Sequence, residues 1–223
     1  MALSMGMAGI LVETGTAGAA LAVTSSHFCS AERQFRFPLE YAGQRTPTSQ
    51  WTVTGAGAAL VEAQGEGIKI AAVTIGKMMD LGVKDINNMG AAMAPAAAET
   101  IKDFLNDTNT KPGDYQMILT GDLGAVGSSL LTELLLRDGI DISDYHKDCG
   151  CMIFDPETQP DTNAGGSGCG CSGSVVCSYI INQMKNGELN NVLFVGTGSL
   201  MSTVSVQQGE SIPCIAHAVL LRR

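Results

Sequence analysis

The chain has 223 residues, 45% of them hydrophobic and 16% charged, enough for one sizeable core or two tightly joined halves. Thirteen Lys and Arg against 22 Asp and Glu leave a net charge of −9, and only Arg222 and Arg223 stand together as cations, which argues against nucleic acid and anionic headgroups as partners. Seven cysteines, an odd number set partly in apolar runs, read as reduced thiols rather than a disulfide scaffold.

Residues 2–14 carry Leu3, Met7, Ile10 and Leu11 at helical spacing, with Gly15 as a natural stop. This opening lacks a basic segment and is broken by Glu13, so it reads as neither a signal peptide nor a membrane span. "AALAVTSSH" (19–27) predicts a buried strand ending in polar residues, and 28–50 predicts a loop whose aromatics pack on something. Residues 51–62 and 68–79, separated by Gly65 and Gly67, predict an antiparallel pair. Residues 94–108 predict a helix with Pro95 near its first turn. Thereafter the pattern alternates: strand 115–122, helix 127–139, strand 148–155, a glycine-rich turn and helix 171–187, and strands 191–199 and 212–221. That order, β-α-β-α-β-β, predicts an α/β fold with a mostly parallel sheet covered by helices. The opening α-β-β-β looks like the tail of a similar unit, which sets an expected division into 1–112 and 113–223.

Reactive groups in such folds gather at the carboxyl ends of strands. Here those ends carry Thr24-Ser25-Ser26-His27, Thr120-Gly121-Asp122 and Thr197-Gly198-Ser199. "GGSGCGCSGSV" (165–175) lies between a strand and a helix, where glycines admit either a ligand close to the backbone or a tightly packed turn. Cys149 and Cys151 are spaced by one residue, unlike the two-residue spacer of structural zinc sites, yet on a strand they would share a face. Small buried thiols are the plainer reading. His146 reads as a surface loop residue, His27 as a strand-end residue, and His217 as an imidazole that must find a partner inside an apolar strand.

The strings "TSSHFCSAERQFRFPLEYAGQ", "TVTGAGAALV", "MGAAMAPAAAETI", "ILTGDLG", "DCGCMIFD", "GGSGCGCSGSVV" and "ESIPCIAHAVL" together resemble the stage V sporulation protein AD family, over essentially the whole chain. The resemblance implies a thiolase-like α/β fold of mixed, mostly parallel sheets with covering helices. Its second half is expected to be complete and its first half to lack the opening βαβαβ, because Met1 falls immediately after the family's cysteine elbow. The family's role is to bind dipicolinic acid, free or as its calcium chelate, during uptake into the developing spore. That implies a peripheral position on the cytoplasmic side or surface of the spore inner membrane in the forespore, integral membrane partners of the same transport system, and compatibility with a homodimer.

Condensing enzymes of this fold use an elbow cysteine, histidines and an oxyanion hole. By motif placement the two second-half histidine positions fall near Asp122 and Ser167. "CIAHAV" puts Cys214 in a cysteine place but replaces the glycines by Ala216-His217-Ala218. A non-catalytic binding role is therefore expected. A thiolase-like acyltransferase, a metal-binding structural protein and an inactive remnant are the other readings. The expected ligand-binding residues are Ser25, Ser26, His27, Asp122, Ser167, Cys169 and His217, with Thr24 and Thr197 as further donors. No cofactor and no resident metal are expected, calcium entering only as part of the ligand.

Overall fold

The computed structural model describes residues 1–35 and 43–223. Helix α1 (Ala2–Glu13), strand β1 (Ala19–Ser26) and helix α2 (Phe28–Phe35) open the chain, followed by β2 (Trp51–Thr52), β3 (Gly55–Glu62) and β4 (Lys69–Ile75). Then come α3 (Met89–Thr108), β5 (Met117–Thr120), α4 (Gly124–Arg137), β6 (His146–Asp148), α5 (Cys149–Ile153) and β7 (Gly166–Ser167). Helix α6 (Cys169–Ser174) runs through a π-helical stretch, Val175–Ile180, into α7 (Ile181–Asn186), and β8 (Asn191–Ser199), α8 (Thr203–Gln207) and β9 (Cys214–Arg222) close the chain.

Five strands form the central sheet in the order β4-β9-β8-β5-β6. β5 runs parallel to β6 and β8, whereas β9 is antiparallel to β8 and β4. Alternation along the strands sends side chains into two cores. Ile118, Leu193, Val195, Ala216 and Ala218 pack with α3 and α4 on one face. Leu119, Val192, Phe194 and Val219 pack with α1 and the long helix from Cys169 on the other. Because both faces are covered, "VLFV" in β8 is apolar without interruption and fully buried. The sheet draws β4 from ahead of residue 112 and its other four strands from after it.

Several expectations need correction. β3 does not pair with β4: it pairs antiparallel with β1 from Ala19↔Glu62 to Ser26↔Gly55, while β4 joins β9. Alternating apolar strands name no partner of their own, and residues 63–68 give the chain room to change sheets. β1 is not a buried strand, since Leu21 and Val23 are 64% and 52% exposed. Part of the expected loop is the helix α2, and its stretch 36–42 lies outside the described residues. Pro95 is internal to α3, not in its first turn, because Asn88 caps the helix earlier by accepting the Ala91 N–H at 3.1 Å. Buried Ala92, Met93, Ala94 and Ala96 then hold the turn that Pro95 weakens. Residues 149–153 are helical rather than extended, because Asp148 ends β6 and its side chain accepts the Cys151 N–H.

α1 is apolar on all sides, the pattern of a fully buried helix. Ala2, Met5, Ala8 and Val12 are buried, yet Leu3, Met7, Ile10 and Leu11 remain at least 38% exposed. Among the described residues no helix is long and apolar enough to cross a membrane.

Candidate functional site

The carboxyl ends of β5 and β8 lie side by side, Thr120 opposite Val195, and the turn after β5 carries Asp122. Its Oδ1 accepts the Thr197 hydroxyl at 2.7 Å, and its backbone N–H donates back to Thr197 Oγ1 at 3.2 Å. Its Oδ2 accepts the Gly168 N–H of the glycine-rich turn at 2.7 Å. The buried Gln50 side chain rivets the same region, its Nε2 donating to the Asp122 and Gly166 carbonyls at 2.8 Å each.

Around this turn the structure gathers five of the expected residues. Ser167 is fully buried, and its carbonyl accepts the Val53 N–H at 2.9 Å. The Ser26 hydroxyl donates to the Val53 carbonyl at 2.7 Å and accepts the Gly170 N–H at 2.9 Å. The exposed Cys169 thiol donates to the Ser25 carbonyl at 2.9 Å. Asp122 completes the cluster. His217 sits one strand away on β9, opposite Gly196, and its Nδ1 accepts the Gly76 N–H at 3.3 Å, so the ring meets its need for a partner on the backbone. His27 stands apart, exposed before α2, with its carbonyl accepting Ser30 and Ala31.

The glycines are there for close approach as well as for the turn. Gly168 has φ +95°, which side-chain-bearing residues rarely adopt. A Cβ at Gly57 would fall 2.3 Å from the Gly173 carbonyl oxygen, so α6 and β3 touch backbone to backbone.

A second polar network lies directly behind Asp122, and sequence reasoning missed most of it. Asp148 is 3% exposed, and its carboxylate takes four donors. Oδ2 accepts the Thr120 hydroxyl at 2.7 Å and the Leu123 N–H at 2.9 Å; Oδ1 accepts the Gly124 N–H at 2.9 Å and the Cys151 N–H at 3.2 Å. His146, expected as a surface loop residue, instead belongs to β6 with Nε2 2.8 Å from Thr120 Oγ1. Because that hydroxyl gives its one proton to Asp148, the imidazole donates from Nε2 and is the Nε2–H tautomer when neutral. Burial, helped by Lys147, depresses the His146 pKa to about 4. Burial lifts Asp148 to about 6 against the pull of its hydrogen bonds, with the Asp122 charge adding to the rise.

Burial also keeps the buried thiols protonated: Cys149 and Cys171 titrate far above the usual range and Cys214 is pushed up to about 11. Cys214 donates to the Ala92 carbonyl, a packing role. Cys149 is buried and Cys151 exposed on one helical turn, so the two do not share a face as strand residues would. Among the described residues no group of three or more His, Cys, Asp or Glu is placed to hold a metal ion. The aromatics after β1 do pack: Phe28 stacks on Trp51 at 4.5 Å, and the Arg45 guanidinium lies 4.7 Å from the Trp51 ring centre.

Compared with known proteins, the profile of the family described as stage V sporulation protein AD matches residues 1–222. Stage V sporulation protein AD of Bacillus subtilis (strain 168) is 48% identical over 220 residues, covering 99% of this chain, which spans 64% of that relative's length. Among solved structures, 3-oxoacyl-[acyl-carrier-protein] synthase III from Aquifex aeolicus VF5 is similar with a TM-score of 0.56 at 13% identity, over 99% of this chain and 63% of that one. The synthase III from Pseudomonas aeruginosa PAO1 is similar at 0.56 and 12%, over the same shares. At such identity the likeness is one of fold, and the fold is thiolase-like. By its match along nearly its whole length, the chain belongs to the stage V sporulation protein AD family.

Proposed function

We propose that this chain carries part of a binding site for dipicolinic acid, free or as its calcium chelate, in the uptake of that compound during sporulation, and that it binds without catalysing. The observation that carries the reading is Asp122, fixed by Thr197 and Gly168 at the turn where the thiolase-like resemblance leads one to look for an imidazole. A carboxylate there cannot do the work of that imidazole. The described imidazoles at His146 and His217 bond to Thr120 and Gly76 rather than to a thiol, and the buried thiols stay protonated.

Dipicolinate is a flat dianion with donors required at both ends. Asp122 repels the free dianion but suits a calcium chelate, whose hard cation takes carboxylate oxygens. Ser25, Ser26, Ser167 and Cys169, with His217 one strand away, supply the surrounding polar groups. Calorimetric titration of dipicolinate with and without calcium into the parent and Asp122→Asn tests this. The variant is expected to lose affinity for the chelate and not for the free acid; equal chelate binding by both proteins would sink the role of Asp122.

The same reading places the protein peripherally at the spore inner membrane of the forespore, beside integral membrane partners, and pairs it with a second copy. Release from sporulating-cell membranes by alkaline wash and light scattering of the purified chain check those two points.

A further inference from the structure

The Asp148 carboxylate touches both flanks of Asp122. It holds Thr120 on one side through the hydroxyl, and Leu123 and Gly124 on the other through their N–H groups. The Gly124 contact also puts a negative charge on the first turn of α4, which favours it. Through Cys151 the same carboxylate caps α5. His146 closes the outer end, donating to the hydroxyl that donates to Asp148. A side chain saturated in this way fixes where the turn goes, and the turn decides where the Asp122 carboxylate meets Gly168 and Thr197.

We infer that Asp148, steadied through Thr120 by His146, is the positioning residue that aims the Asp122 carboxylate at the glycine-rich turn. Asn in its place keeps the shape but turns an N–H₂ toward one pair of donors, Thr120 and Leu123 or Gly124 and Cys151, so in either orientation a backbone N–H loses its acceptor and the turn relaxes. The functional part of this inference rests on the dipicolinate reading; the geometric part does not.

The test therefore has two readouts on the full chain. The first is amide hydrogen exchange at Gly168, whose N–H is held by Asp122 and does not touch Asp148. Asp148→Asn and Asp122→Asn are each expected to speed it about ten-fold or more, while Gly170, held by Ser26, keeps its rate. Thr120→Val is expected to act in the same direction and Thr120→Ser to restore the parent rate, which keeps the test alive if Asp148→Asn fails to fold. The second readout is affinity for calcium dipicolinate in a double-mutant cycle. Asp148→Asn is expected to weaken binding about ten-fold alone and less than about two-fold once Asp122 is already Asn. Gly168 exchange unchanged in the folded variants, or exchange speeded equally at Gly170, overturns the positioning role. Additive losses of affinity overturn its link to the site. A parent chain that binds neither ligand form contradicts the dipicolinate reading and leaves the exchange result to decide the positioning role.

Discussion

His146 and Asp148 titrate in opposite senses, and replacing His146 by Gln should expose that balance. Gln keeps an N–H donor for Thr120 but removes the proton equilibrium. In the parent, His146 has its pKa lowered from 6.5 to about 4 on folding, so the folded state binds fewer protons than the unfolded chain between those values. Stability is then lost as pH falls from 6.5 to 4, by about 3 kcal/mol at 1.36 kcal/mol per unit. Asp148, raised from 3.8 to about 6, does the reverse: it binds a proton on folding, and stability is gained by about 3 kcal/mol as pH falls through that window. The two nearly offset each other in the parent. In His146→Gln only the Asp148 side survives, so the variant should gain on the parent by up to about 3 kcal/mol between pH 7 and pH 4. For a chain of this size that is roughly 6–12 °C in Tm. Thermal melts of both proteins at half-unit steps of pH, read as the difference between them, cancel the groups they share. The groups facing this pair, Asp122, Lys147, Cys149 and Cys171, are among those shared. Asp148→Asn should show a difference of opposite slope. A His146→Gln difference that is flat with pH would refute the buried, neutral imidazole.

Gly57→Ala drives a methyl into the Gly173 carbonyl and should cost about 2–3 kcal/mol in urea unfolding; a neutral result would mean that α6 can lift off β3 freely. Thr197→Val removes the hydroxyl that Asp122 accepts and should weaken calcium dipicolinate about ten-fold, whereas an unchanged titration would show that Asp122 is oriented by Gly168 alone. A thiol reagent applied to the folded chain should label exposed Cys169 and Cys29 quickly and buried Cys149 and Cys171 only after unfolding, as mass spectrometry of the labelled peptides will show. Acyl-CoA should leave all of them unmodified; a stable acyl-thioester on any would revive the acyltransferase reading.

The elements with one dominant local signal were legible in the sequence. β8 is a continuous apolar run, α1 has helical spacing and a glycine stop, and the long helix from Cys169 follows its glycine turn. Partner choice was not legible, because β1, β3 and β4 carry interchangeable apolar patterns and nothing local says that β3 turns to β1 and β4 to β9. The cluster of Ser25, Ser26, Asp122, Ser167 and Cys169 could be named in advance because strand ends and glycine turns mark such places. The Thr120–His146–Asp148 network could not, since His146 and Asp148 lie in "DYHKDCGC", where a polar run before an apolar one looks like ordinary loop. Only the parallel register of β5 and β6, Ile118↔His146 and Thr120↔Asp148, brings them together. Pro95 misled for a related reason: it is a common first-turn residue, but the cap at Asn88 and the buried alanines outweigh its missing N–H.

Calorimetric titration of dipicolinate, with and without calcium, into the chain once a thermal melt has shown it folded is the most direct test of the binding role. Saturable binding, stronger with calcium and reduced by Asp122→Asn, is the expected result. A folded chain that takes up neither form would contradict the proposal that this chain carries a working part of the site.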